Sequence, residues 1–173
     1  MDFRPDLSWE FKSEDEIASR SIRAVRNHIQ HIKEVSQYYQ ELLTDVNPDD
    51  ITTLESIAQL PSTSKATIAK NVEKFRAIRP EDVVETVVTS GSTGHPLVFF
   101  LTGSDLDRLA FNEALSFHST AVTVNDRAQI LVSLDRLFIA GIAYYRGLTL
   151  LGANTTRIGV LPYEMQKHYL ELL

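Results

Sequence analysis

Cysteine is absent from the 173 residues, tryptophan occurs once and methionine twice. Without cysteine the chain has no disulfide, no thiolate nucleophile and no cysteine-based zinc site. The lack suits a reducing compartment. Positive charge is also short: 17 Lys and Arg against 23 Asp and Glu leave a net charge of −6. Non-specific nucleic-acid or membrane binding calls for a basic face, so neither partner class is expected. Long apolar runs are missing too. The longest, Leu137 to Gly152, is interrupted by Arg146 and falls short of the roughly 20 residues a membrane-spanning helix needs. The opening Met1-Asp2-Phe3-Arg4-Pro5-Asp6 lacks the basic-then-apolar order of a secretory signal. These absences point to a soluble cytoplasmic protein.

What is present has the balance of a globular chain, 43% hydrophobic and 23% charged. Ser13 followed by Glu16 has capping-box spacing. Ile22, Val25, Ile29, Ile32, Val35, Tyr39 and Leu42 then recur at three- and four-residue steps, one apolar stripe on a long helix with a break near Ser36. Thr52 with Glu55 opens a short helix through Leu60, which Pro61 stops; Ser64 caps another to about Phe75. The pattern changes near residue 80. The β-branched run Val83–Val88 and the run Leu97–Leu101 read as strands of an antiparallel hairpin with a wide loop. Ser104 caps a well-buried helix, Ala128–Leu134 is a buried strand, and Phe138–Leu151 is an apolar helix whose small residues permit close packing. Gly152 suits its C-terminus, Asn154–Ile158 is a strand, and Pro162 starts a last helix. The fold class expected is α/β: a helical region over residues 1–78, then part of an α/β sheet subdomain over residues 79–173.

The segment Thr89-Ser90-Gly91-Ser92-Thr93-Gly94-His95-Pro96 joins the two hairpin strands. Gly91 and Gly94 allow backbone conformations in which N–H groups converge on an anion. Thr89, Ser90, Ser92 and Thr93 add hydroxyl donors. Such a loop suits phosphate, although clusters of this composition are equally often plain solvent loops. No lysine follows Gly94, so it is not a Walker loop; Gly-x-Gly-x-x-Gly is missing, so it is not a dinucleotide fingerprint.

This segment resembles the phosphate-binding signature of the adenylate-forming superfamily. Tyr38-Tyr39-x-x-Leu42, Asp49-Asp50-Ile51, Leu60-Pro61-Ser62-Thr63-Ser64-Lys65, Pro80-Glu81-Asp82-Val83-Val84 and Arg146-Gly147-x-x-x-Leu151-Gly152-Ala153 resemble the phenylacetate–CoA ligase branch, over about residues 20–160. The resemblance implies an enzyme that activates a carboxylic acid with ATP and Mg2+ and passes the acyl group to coenzyme A. It assigns ATP phosphate binding to Thr89, Ser90, Gly91, Ser92, Thr93, Gly94 and His95. It also makes Phe138 and Gly141, at a strand-to-helix junction, candidates for the acyl pocket, beside the plainer reading of a core helix start.

Two positions depart from the pattern. Superfamily members often carry lysine just after the proline, where this chain has Leu97, and the phenylacetate branch often has it just before, where this chain has His95. A histidine, with an ordinary pKa of about 6.5, is only partly charged at neutral pH. The resemblance also implies further parts that are absent here: an aromatic-Gly-x-Thr-Glu segment for magnesium, an Asp for the ribose, and a lid with a catalytic lysine. The chain is therefore expected to be an N-terminal fragment with no catalytic residue or metal ligand of its own, inactive alone and self-associating through an exposed sheet edge. A non-catalytic partner- or phosphate-binding module, an acyl-protein synthetase-like fragment, and an unrelated α/β protein remain alternatives. Outside the loop, His28 and His31 could make a metal pair but have no third ligand nearby, and no Gly-x-Ser-x-Gly elbow supports a serine nucleophile.

Overall fold

The computed structural model describes residues 5–6, 8–89 and 96–171. It divides into two compact units, one of residues 6–81 and one of residue 5 with residues 82–171.

The first unit is helical. Helix α1 (Glu14–Val35) opens on the expected capping box: the Ser13 hydroxyl accepts from the Glu16 amide, and the Glu16 carboxylate accepts from the Ser13 amide. Ser36 takes an extended conformation, ends α1 and caps α2 (Gln37–Leu42). This break interrupts the apolar stripe, so Val35 is exposed while Ile29 and Ile32 are buried. They pack with Leu43 and Ile51. Arg26 and Lys33 strap this core by donating to the carbonyls of Ile51 and Val46 at 2.7 and 2.6 Å. Ser36 itself is fully buried and donates to the Lys74 carbonyl at 3.0 Å. Tyr38 stacks on Phe75 with ring centroids 3.9 Å apart.

Two elements of this unit differ from the sequence expectation. Helix α3 (Leu54–Ala58) is capped by Thr53 with Ser56, not by Thr52 with Glu55. The pair one residue along wins because the Ser56 hydroxyl reaches back to the Thr53 amide at 3.1 Å. The helix expected from Ser64 to Phe75 is two, α4 (Lys65–Lys70) and α5 (Val72–Phe75). They separate at Asn71, whose side-chain amide donates to the Thr67 carbonyl at 2.9 Å.

The second unit begins with the antiparallel hairpin of β1 (Glu85–Val88) and β2 (Val98–Leu101), in register Glu85↔Leu101 to Val88↔Val98. Helix α6 (Gly103–Ser119) follows, capped by Thr102 with Asp105 and not by Ser104. It is less buried than its sequence suggests: Phe111 is exposed, whereas Leu106, Ala110 and Ala114 are covered. Strand β3 (Arg127–Ile130), helix α7 (Ile139–Leu151) and strand β4 (Asn154–Arg157) form a βαβ unit, with β3 and β4 parallel. Gly152 ends α7 in the left-handed conformation, φ 92°. Ile130, Leu148 and Ala153 form the core, flanked by Phe117 and Tyr144. Helix α8 (Tyr163–Glu171) completes the order. Among the described residues the strands form two separate two-stranded sheets, not one. No described helix is long and apolar enough to cross a membrane.

Candidate functional site

Of the residues expected to hold phosphate, Thr89 is described; Ser90, Gly91, Ser92, Thr93, Gly94 and His95 lie outside the described residues. The hairpin carries its register one step past its last ladder pair. Thr89 donates its amide hydrogen to the Leu97 carbonyl at 3.0 Å, and Leu97 donates back to Thr89 Oγ1 at 2.9 Å. The side chain thus replaces the second backbone acceptor of an ordinary antiparallel pair, and closes the neck of the segment between them. A threonine hydroxyl has one hydrogen to donate, and accepting from Leu97 does not consume it.

A second connection anchors this neck. Val88 donates its amide hydrogen to the Leu137 carbonyl at 3.0 Å. Leu137 and Arg136 both have left-handed backbones, with φ of 60° and 56°. That conformation is costly for residues with a Cβ. Here it folds the segment after β3 into a turn whose carbonyl meets the end of β1. Asp135 and Arg136 form a loose ion pair, 3.7 Å between two exposed side chains. Asp135 is held more closely by the Ser133 hydroxyl. That hydrogen bond, with a smaller contribution from Arg136, keeps its carboxyl below the usual range.

The strand-to-helix junction places the two acyl-pocket candidates differently. Phe138 is 39% exposed and sits at the N-cap of α7, where no side chain caps the helix. Gly141 is buried in the first turn, and a Cβ there would lie 2.2 Å from the Ser133 carbonyl oxygen. Glycine therefore lets the chain leaving β3 lie against α7. A cavity of about 650 Å³ opens at the carboxyl ends of β3 and β4, lined in part by Ser133, Asp135, Arg136, Arg157 and Gly159. Carboxyl ends of parallel strands are the usual location of ligand crevices in α/β sheets. Arg157 lies over the Tyr145 ring at 4.5 Å. Among the described residues no three His, Asp or Glu side chains gather as a metal site.

No protein-family model matches the chain. It is 27% identical over 145 residues to the phenylacetate–coenzyme A ligase of Aromatoleum evansii, covering 82% of this chain. It is 28% identical over 149 residues to that of Escherichia coli K12, covering 84%. The chain is similar in sequence to the phenylacetate–coenzyme A ligases. It spans about a third of their length, 33% and 34% respectively. The fold agrees. The open conformation of 2-hydroxyisobutyryl-CoA ligase, solved with 2-HIB-AMP and CoA, superposes on 92% of this chain with a TM-score of 0.81 at 15% identity. The match covers 38% of that ligase. In its thioesterification state the same ligase gives a TM-score of 0.81 at 16% identity. The chain thus carries part of the adenylate-forming CoA-ligase fold.

Proposed function

We propose that this chain is the phosphate-binding portion of an ATP-dependent carboxylic acid–CoA ligase, which forms an acyl-adenylate and then a thioester. The observation that carries the reading is the Thr89–Leu97 closure at the root of a Gly/Ser/Thr segment, in a chain similar in sequence to the phenylacetate–coenzyme A ligases. A rigid neck presents Thr89 and the donors after it to the β- and γ-phosphates during attack on the α-phosphorus. Preorganised donors stabilise developing charge without reorganising as the reaction proceeds. Phe138, exposed at the start of α7, offers an apolar surface to the acid, and Gly141 holds that start against the Ser133 carbonyl. ATP, Mg2+ and coenzyme A belong to the whole ligase, whose magnesium, ribose and lysine sites have no counterpart in this sequence.

Calorimetric titration with ATP and with pyrophosphate tests this reading. Saturable binding is expected, and it should weaken when Ser92 and Thr93 are both replaced by alanine. Undetectable binding at millimolar ligand would sink it. A second reading is a non-catalytic phosphate- or partner-binding module derived from such a ligase. Pyrophosphate binding without ATP–pyrophosphate exchange in the presence of carboxylic acids would select it.

A further inference from the structure

The phosphate-binding reading leaves one requirement unmet. The loop has no permanent cation, with His95 and Leu97 at the positions flanking Pro96. Backbone and hydroxyl donors carry only partial charges, whereas the phosphate chain of a nucleotide carries several full ones. A cation is needed close by, and the turn hydrogen-bonded to Val88 carries an arginine.

Arg136 precedes Leu137, whose carbonyl accepts from Val88, the residue before Thr89. The turn that bears Arg136 is therefore hydrogen-bonded to the root of the loop, although it lies far along the sequence. The Arg136 side chain is 88% exposed, and its partner Asp135 is 3.7 Å away and already engaged by Ser133. Its guanidinium is thus weakly held and well hydrated. Arg136 lines the cavity at the carboxyl ends of β3 and β4 together with Arg157, which is steadied over the Tyr145 ring.

We propose that Arg136 and Arg157 form a phosphate subsite at the carboxyl ends of β3 and β4, supplying the positive charge that positions 95 and 97 lack. The ligand class is the phosphate chain of a nucleoside triphosphate, or the pyrophosphate released from it. Arginine suits this task because its planar fork donates two parallel hydrogen bonds to phosphate oxygens. The inference rests on the phosphate-binding reading above, since the ligand class is the same.

The test is a calorimetric titration of the chain with inorganic pyrophosphate, at low and at moderate ionic strength. Arg136→Gln and Arg157→Gln are each expected to weaken binding by roughly tenfold, the usual loss for a charge-assisted contact. Arg136→Lys should recover part of the loss, and the salt dependence of affinity should become shallower in either glutamine variant. Arg136 is so exposed that its replacement should leave the circular dichroism and thermal midpoint unchanged. If Arg136→Gln binds within twofold of the parent while Ser92 and Thr93 alanine variants bind more weakly, the loop grips phosphate without Arg136. The subsite is then wrong and the ligase reading stands. If the parent itself binds no pyrophosphate, both fall.

Discussion

Thr89 and Leu97 are joined by reciprocal hydrogen bonds, amide to carbonyl at 3.0 Å in one direction and amide to hydroxyl at 2.9 Å in the other. Only the second depends on a side chain. Thr89→Val keeps the shape but leaves the Leu97 amide without its acceptor, a loss of about 1 kcal/mol in stability. Thr89→Ser retains the oxygen and should behave like the parent. Urea unfolding of the two variants separates them. Pyrophosphate affinity should fall in the valine variant and persist in the serine variant, because only the valine variant loses the hydroxyl that closes the neck.

Residue 95 offers a direct check on the missing cation. His95→Lys restores a permanent charge just before Pro96 and is expected to tighten ATP or pyrophosphate binding several-fold at pH 7.5, where an ordinary histidine is mostly neutral. The gain over histidine should shrink at pH 5.5, where histidine is itself charged. Equal affinity of the two proteins at both pH values would mean that residue 95 does not face phosphate.

Glycine at two points of α7 decides how closely its neighbours approach. A Cβ on Gly147 would lie 2.4 Å from the Glu113 Cβ and 2.9 Å from the Ala114 amide nitrogen of α6. A Cβ on Gly141 would lie 2.2 Å from the Ser133 carbonyl oxygen. Neither neighbour can retreat without moving backbone. Gly147→Ala and Gly141→Ala are each expected to destabilise the unit by about 1–3 kcal/mol, as overpacking does. Gly103→Ala is the control, because nothing lies within 4 Å of its added Cβ. Thermal melts of the three proteins should place Gly103→Ala at or above the parent.

Acid should loosen α6 through its cap. The Thr102 amide donates to the Asp105 carboxylate at 2.9 Å and the Thr102 hydroxyl at 2.8 Å. The amide bond chiefly, with the hydroxyl and Arg108 adding, holds this carboxyl below the usual carboxylate range. The folded pKa is depressed, so the stabilisation is complete above the unfolded value, about 3.9. It declines as pH falls below that value and is gone once pH has passed below the folded one. Asp105→Asn should lower stability at neutral pH and flatten its fall below about pH 4. Thr102→Ala should cost about 1 kcal/mol, the usual loss for an N-cap. Urea midpoints from pH 3 to 7 measure both.

Local signals were legible where the chain interacts with itself over a few residues. The Ser13–Glu16 box, the hairpin strands on either side of the loop and Gly152 behind α7 all depend on spacing that a reader of sequence can count. The caps at Thr53 and Thr102 were misread by one and two residues, because neighbouring hydroxyls compete and only the backbone path settles which reaches the free amides. Ser36 was legible as a break in α1. Its burial against the Lys74 carbonyl was not, since that contact joins residues 38 apart.

The sequence by itself determined that this chain is α/β, that a hydroxyl- and glycine-rich segment joins two antiparallel strands, and that its spaced motifs resemble those of acid–CoA ligases. These rest on periodicity and composition, which are local. Only the tertiary structure decided that Leu137 closes on Val88, and that Arg136 and Arg157 share one cavity at the strand ends. Those pairings join residues far apart in sequence. They depend on two left-handed residues and on a parallel strand crossover, and no residue pattern along the chain encodes them.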